Sequence, residues 1–109
     1  MQDGGQQVLI VTGSSTGIGA ATARLASRYG YAVCVDYFGR SDEATKVVIA
    51  IERDGGRAIP VQADISSESD VLRLFQTTAR QFGPLTGLVN LNSAVSAPKV
   101  RMSPIAARD

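Results

Sequence analysis

Apolar and polar positions alternate between two periods along this chain. Val8-Leu9-Ile10-Val11 is an unbroken apolar, mostly β-branched run, the pattern of a strand buried on both faces. After a turn of glycine and small hydroxyl residues, Ala20 to Ala26 is rich in helix formers, and Gly30 stands where that helix should be capped. Tyr31 to Tyr37 is a second apolar strand. Ser41-Asp42-Glu43 then reads as a helix start, a hydroxyl cap with acids set against the dipole. Ala44, Val47, Val48 and Ile51 follow at helical spacing, until Asp54-Gly55-Gly56 stops them. Arg57 to Asp64 is a third strand, and Pro60, which cannot donate to a ladder, places it at a sheet edge. A cap at Ser66-Ser67 opens a third helix, with Val71, Leu74, Phe75, Thr78 and Phe82 inward, and Gly83-Pro84 ends it. Leu85 to Leu91 is a fourth strand, Asn92 to Lys99 reads as loop, and Ser103-Pro104 as another helix start. Strands alternating with helices predict an α/β fold with a parallel sheet covered on both faces through right-handed crossovers.

The chain has 109 residues, room for one small domain over 1–109, and its 44% hydrophobic content is that of an ordinary globular protein. Its formal charge is +1 with cations scattered, which leaves no footprint for nucleic acid or an anionic membrane. No apolar run reaches spanning length, and residues 1–7 lack the basic and apolar regions of a secretory leader, so a cytoplasmic location is expected. Histidine is absent and Cys34 is the single cysteine, which excludes an internal disulfide, a cysteine–histidine metal cluster and histidine catalysis. Cys34 lies inside an apolar strand pattern and reads as a buried, inert thiol.

The chemistry is concentrated at the first turn. Gly13-Ser14-Ser15-Thr16-Gly17-Ile18-Gly19 joins a strand to a helix, the context in which a glycine motif signals a nucleotide phosphate. The helix N-terminus offers unpaired N–H groups and partial positive charge to a pyrophosphate. Gly13 sets the turn, Gly17 has no Cβ to hold phosphate oxygens away, and Gly19 permits close packing of helix on strand. Ser15, Thr16, Gly17, Ile18 and Gly19 are thereby expected to line the pyrophosphate and ribose. Asp36 ends the second strand seventeen positions past Gly19, where a carboxylate commonly holds the adenosine ribose. The fold class expected is a Rossmann-type doubly wound sheet of order 3-2-1-4, truncated, with its ligand crevice at the carboxyl ends of strands 1 and 4.

The Thr-Gly-x3-Gly-Ile-Gly turn closely resembles that of the short-chain dehydrogenase/reductase family, and later segments keep the family's order. The Asp36-Tyr37 pair gives the chain the flavour of glucose or ribitol dehydrogenase-like and acyl-carbonyl reductase-like members. The resemblance implies hydride transfer between NAD or NADP and a small-molecule carbonyl or alcohol, and a homo-oligomer for the full-length member. It implies that Asp64, followed by Ile65, contacts the adenine amino group, and that Asn90 belongs to a turn shaping the adenine pocket. Aligned on Gly30, the family's usual acidic position falls on Tyr37. Cofactor preference stays open: Asp36 would repel a 2′-phosphate, Arg40 could pair with one, and Thr16 stands where many NADP-preferring relatives carry a basic residue.

Two departures stand out. The family's Asn-Asn-Ala-Gly reads Asn90-Leu91-Asn92-Ser93-Ala94 here, through substitution at three positions or through an insertion with loss of the glycine. The family's catalytic Ser, Tyr-x3-Lys and Asn lie in later parts of its members, and no tyrosine in this chain has a lysine four positions on. No catalytic residue is assigned. The chain reads as the cofactor-binding N-terminal part of an NAD(P)-dependent oxidoreductase. The alternatives are a non-catalytic nucleotide-binding or interaction module and a damaged product without a stable fold. A truncated sheet would leave strand 4 with an unpaired apolar edge, which invites association.

Overall fold

A computed structural model describes residues 6–13 and 17–91, together with the backbone of 101–104. Its elements are β1 (Val8–Thr12), α1 (Gly17–Arg28), β2 (Ala32–Tyr37), α2 (Ser41–Arg53), β3 (Arg57–Gln62), α3 (Glu68–Phe82), β4 (Gly87–Asn90) and β5 (Arg101–Pro104). They form one sheet of order β3-β2-β1-β4-β5. β1 pairs in parallel with both β2 and β4, aligning Val11 with Val35 and with Val89. β3 lies at the edge, as Pro60 requires, in parallel register with β2.

Buried strands explain the unbroken apolar runs: Val8, Leu9, Ile10 and Val11 are at most 1% exposed. Alternate side chains leave the sheet on opposite faces. Leu9, Val11, Val33 and Val35 pack with Ala23 of α1 and with Ala44, Val47, Val48 and Ile51 of α2. Ile10, Cys34, Val61 and Ala63 pack with Leu74 of α3 on the other face. A helix layer thus covers each side.

The helix ends follow local chemistry with one exception. Gly30, at φ 95°, closes α1 and donates its N–H to Ser27 O at 2.9 Å. Ser67 caps α3, its Oγ accepting from the Asp70 N–H at 3.3 Å. The hydroxyl cap expected at Ser41 is corrected. Arg40, at φ 44° and ψ 52°, is the N-cap, and no side chain bonds there. Its left-handed backbone turns the chain into α2, so Ser41 already lies inside the first turn, where its carbonyl accepts from Thr45 Oγ1.

The helix start expected at Ser103-Pro104 is also corrected. Residues 101–104 form β5, antiparallel to β4, with Gly87 aligned to Pro104 and Asn90 to Arg101. Pairing satisfies the outer backbone groups of β4, a larger gain than one incipient helical turn offers. The expected open edge on β4 is therefore covered within the chain. Three strands are shorter than their apolar runs: Tyr31 precedes β2, Ala63 and Asp64 follow β3, and Leu85, Thr86 and Leu91 flank β4. The Asn92–Lys99 segment, including Asn92, Ser93 and Ala94, lies outside the described residues, as do residues 1–5.

Candidate functional site

The carboxyl ends of β1 to β4 gather most of the sequence-predicted residues along one rim. At its centre β1 passes into the glycine turn. Gly13 has φ 67° and Gly17 has φ 60°, a left-handed backbone that costs an L side chain about 1–2 kcal/mol. Among the described residues, and apart from the adjoining backbone, no atom lies within 4 Å of where a Cβ on Gly17 would sit. Gly17 is the first residue of α1, whose first turn carries no acidic residue to offset the positive end of the dipole. Gly19 is buried, whereas Ile18 is 59% exposed. Ser15 and Thr16 lie outside the described residues.

Thr12 and Asn90 face each other across β1 and β4, and Thr12 Oγ1 donates to Asn90 Oδ1 at 2.8 Å. Leu91 N–H donates to Thr12 O at 3.4 Å, extending this contact past the end of β4. Beneath the pair, on the α3 side, lies a cavity of about 170 Å³ lined by Ile65, Val71, Leu74, Phe75, Leu88 and the two polar residues. Ile65 and Asn90, far apart in sequence, meet there.

Asp36 and Tyr37 separate by face. Asp36, two residues past Cys34, shares the α3 face and is 2% exposed. Burial pushes its carboxyl up to about 7, Arg73 draws it down, and Asp64 and Asp70 raise it further. Tyr37 packs with the α1–α2 core, and its carbonyl accepts from Ala63 N–H at 2.9 Å, joining β2 to the turn after β3. In that turn Asp64 Oδ1 accepts from Ser66 N–H at 2.9 Å and from Ser66 Oγ at 2.7 Å. These bonds favour the ionised form and hold Asp64 below its ordinary value. Arg40 is exposed at the start of α2.

Asp70 and Arg73 belong to the site's framework although the motif reading passes over them, and Thr12, the first residue of the Thr-Gly-x3-Gly-Ile-Gly turn, joins them through its bond to Asn90. Thr12 directly precedes Gly13. Asp70 stands three residues past the Ser67 cap, the spacing of a capping box, and that spacing was the available signal. Arg73 gives no local signal, because its guanidinium reaches back to Gln62 O at 2.6 Å. Cys34 is fully buried, as expected, and burial pushes its thiol up to about 12, which favours the protonated form. Among the described residues no acidic, cysteine or histidine side chains gather to hold a metal, and no helix is long and apolar enough to cross a membrane.

Comparison with known proteins bears on this arrangement. The profile of the short chain dehydrogenase family matches residues 7–106. An uncharacterized oxidoreductase of Methylorubrum extorquens is 46% identical over 89 residues, which is 82% of this chain and 36% of that protein. A 3-oxoacyl-[acyl-carrier-protein] reductase of Synechocystis is 43% identical over 84 residues, 77% of this chain and 34% of the relative. A dehydrogenase/reductase crystal structure from Sinorhizobium meliloti superposes with a TM-score of 0.75 at 37% identity, covering 77% of this chain and 33% of the other. The chain spans about a third of the length of the relatives it matches.

Proposed function

The chain belongs to the short chain dehydrogenase family, and from that membership we propose that it forms the dinucleotide-binding part of an NAD(P)-dependent oxidoreductase that interconverts a carbonyl and an alcohol. The observation that carries the reading is the open space at Gly17, at the positive end of α1 and beside the carboxyl end of β1. A pyrophosphate fits there because backbone N–H groups and dipole act together on an anion, and a side chain at Gly17 would fill the space.

In this reading Gly13, Ser15, Thr16, Gly17, Ile18 and Gly19 hold the pyrophosphate and adjoining ribose. Asp64, Ile65 and Asn90 hold the base. Asp36, Tyr37 and Arg40 belong to the adenosine side, with NAD and NADP both accommodated. When bound, the dinucleotide supplies or accepts the hydride. The residues of this chain bind it and fix its orientation; the small-molecule substrate would be a carbonyl or alcohol, in keeping with a relative named as a 3-oxoacyl reductase.

Gly17→Val tests the reading. Among the described residues the added Cβ meets no side chain, so the helix should persist, weakened by the positive φ. Calorimetric affinity for NAD+ and NADP+ should fall about tenfold or more through steric exclusion of the phosphate. Unchanged affinity in a folded variant would move the site elsewhere.

A further inference from the structure

We propose that Asp70, on α3, is the positioning residue that fixes the Asp64–Ile65 turn for contact with a nucleotide base; the inference rests on the adenosine-side reading above.

The turn after β3 has no ladder to hold it, yet three polar atoms of Asp64 are tied. Asp64 N–H donates to Asp70 Oδ2 at 2.9 Å across six residues. Asp64 O accepts from Ser67 N–H at 2.9 Å. Its Oδ1 takes both bonds from Ser66. Asp70 itself is anchored twice. Its N–H donates to Ser67 Oγ at 3.3 Å, and its Oδ1 lies 3.6 Å from Arg73 Nη2, which also donates to Gln62 O at 2.6 Å. Asp70 therefore places one oxygen on the turn and the other on a guanidinium that grips the last residue of β3.

What this leaves for a ligand is specific. Asp64 Oδ2 makes no hydrogen bond among the described residues, and the carboxylate is ionised, hence acceptor-only. A fixed acceptor matches an exocyclic amino group such as that of adenine and opposes a carbonyl at the same position, as in hypoxanthine. Without the Asp70 tie, the Asp64 N–H loses its partner and the turn can rotate, so its preference between the two bases decays.

The test is the ratio of calorimetric affinities for NAD+ and nicotinamide hypoxanthine dinucleotide. The native chain should favour the adenine form by about tenfold or more, the scale of a hydrogen bond to a charged group. Asp70→Ala should bring the ratio to within about twofold. Asp70→Asn, which keeps an acceptor for Asp64 N–H, should retain it. Asp70→Ser keeps a polar group in the first turn but is too short to reach Asp64, and serves if the alanine variant does not fold. A general loss of stability would weaken both affinities together and leave the ratio intact, so an unchanged ratio in either folded variant overturns the inference. If Asp64→Ala leaves the ratio unchanged, the base contact itself is wrong, and the site reading falls along with this inference.

Discussion

Asp36 is a carboxylate where the sheet has little water to offer it. With 2% exposure and two other acids nearby, its protonation is displaced from an ordinary 3.8 up to about 7, only partly offset by Arg73. The raised folded value means the native state holds a proton that the unfolded chain has released. The stabilisation is fully present below pH 3.8, declines through the interval and is lost above about pH 7. At full strength it amounts to no more than about 4 kcal/mol, taking 1.4 kcal/mol for each tenfold change. Asp36→Asn removes the titration, so urea denaturation should show a flatter stability profile between pH 4 and 7 than the native chain, with the variant more stable at pH 8. Parallel profiles would mean that water reaches the carboxylate. The position of Asp36 was legible from the sequence, seventeen residues past Gly19, but its face was not. Spacing along a strand tolerates a shift of one residue, and that shift carries a side chain from one side of the sheet to the other.

Elements join where local rules meet tertiary space, and Gly55-Gly56 shows both. As a sequence pair they read as a helix stop, and Gly55, at φ 87°, is one by its left-handed backbone. Gly56 has a different reason for being glycine. Its N–H donates to Ile51 O at 2.9 Å, and a Cβ there would overlap Ser27 Oγ of α1 and approach Ile51 Cγ2 to 2.9 Å. The hydroxyl can rotate away, whereas Ile51 is 1% exposed and locked in the α1–α2 core. Gly56→Ala should cost about 1–3 kcal/mol, the range for overpacking a core, seen as a lower urea midpoint with an unchanged slope. An unmoved midpoint would show that the turn yields freely. The same distinction explains the two helix starts. Ser67 obeyed the local rule because the β3–α3 turn presents it in extended conformation, while Ser41 did not because Arg40 takes the left-handed position. Cap chemistry is written in the residues, but the entry angle is set by the preceding turn.

The order 3-2-1-4 was legible for the whole molecule, because right-handed crossovers leave few ways to wind alternating strands and helices. The antiparallel β5 was not, since Ser103-Pro104 carries a helix-start signal and the free edge of β4 exists only in the assembled sheet. That architecture brings the residues proposed to bind the cofactor to one rim, and reduction of a carbonyl further requires a proton donor at the reacting oxygen. Histidine is absent from the 109 residues, and Tyr29, Tyr31 and Tyr37 have no lysine four positions on to lower a phenol's pKa. Tyr29 is 78% exposed just after α1, and Tyr31 and Tyr37 pack against the α1–α2 core. Asp36 has a suitable pKa, near 7, but it is 2% exposed and assigned to the adenosine side, away from the reacting oxygen. Asp64 is held ionised and has no proton to give near neutral pH. These 109 residues alone should therefore show no dehydrogenase turnover, and weak dinucleotide binding at most. The purified chain, assayed with NAD(H) and NADP(H) against sugars, polyols and ketones, should show no cofactor-dependent rate above background. A rate that co-purifies with the chain and disappears on Gly17→Val would refute this. It would require a proton donor other than the tyrosines and carboxylates named above.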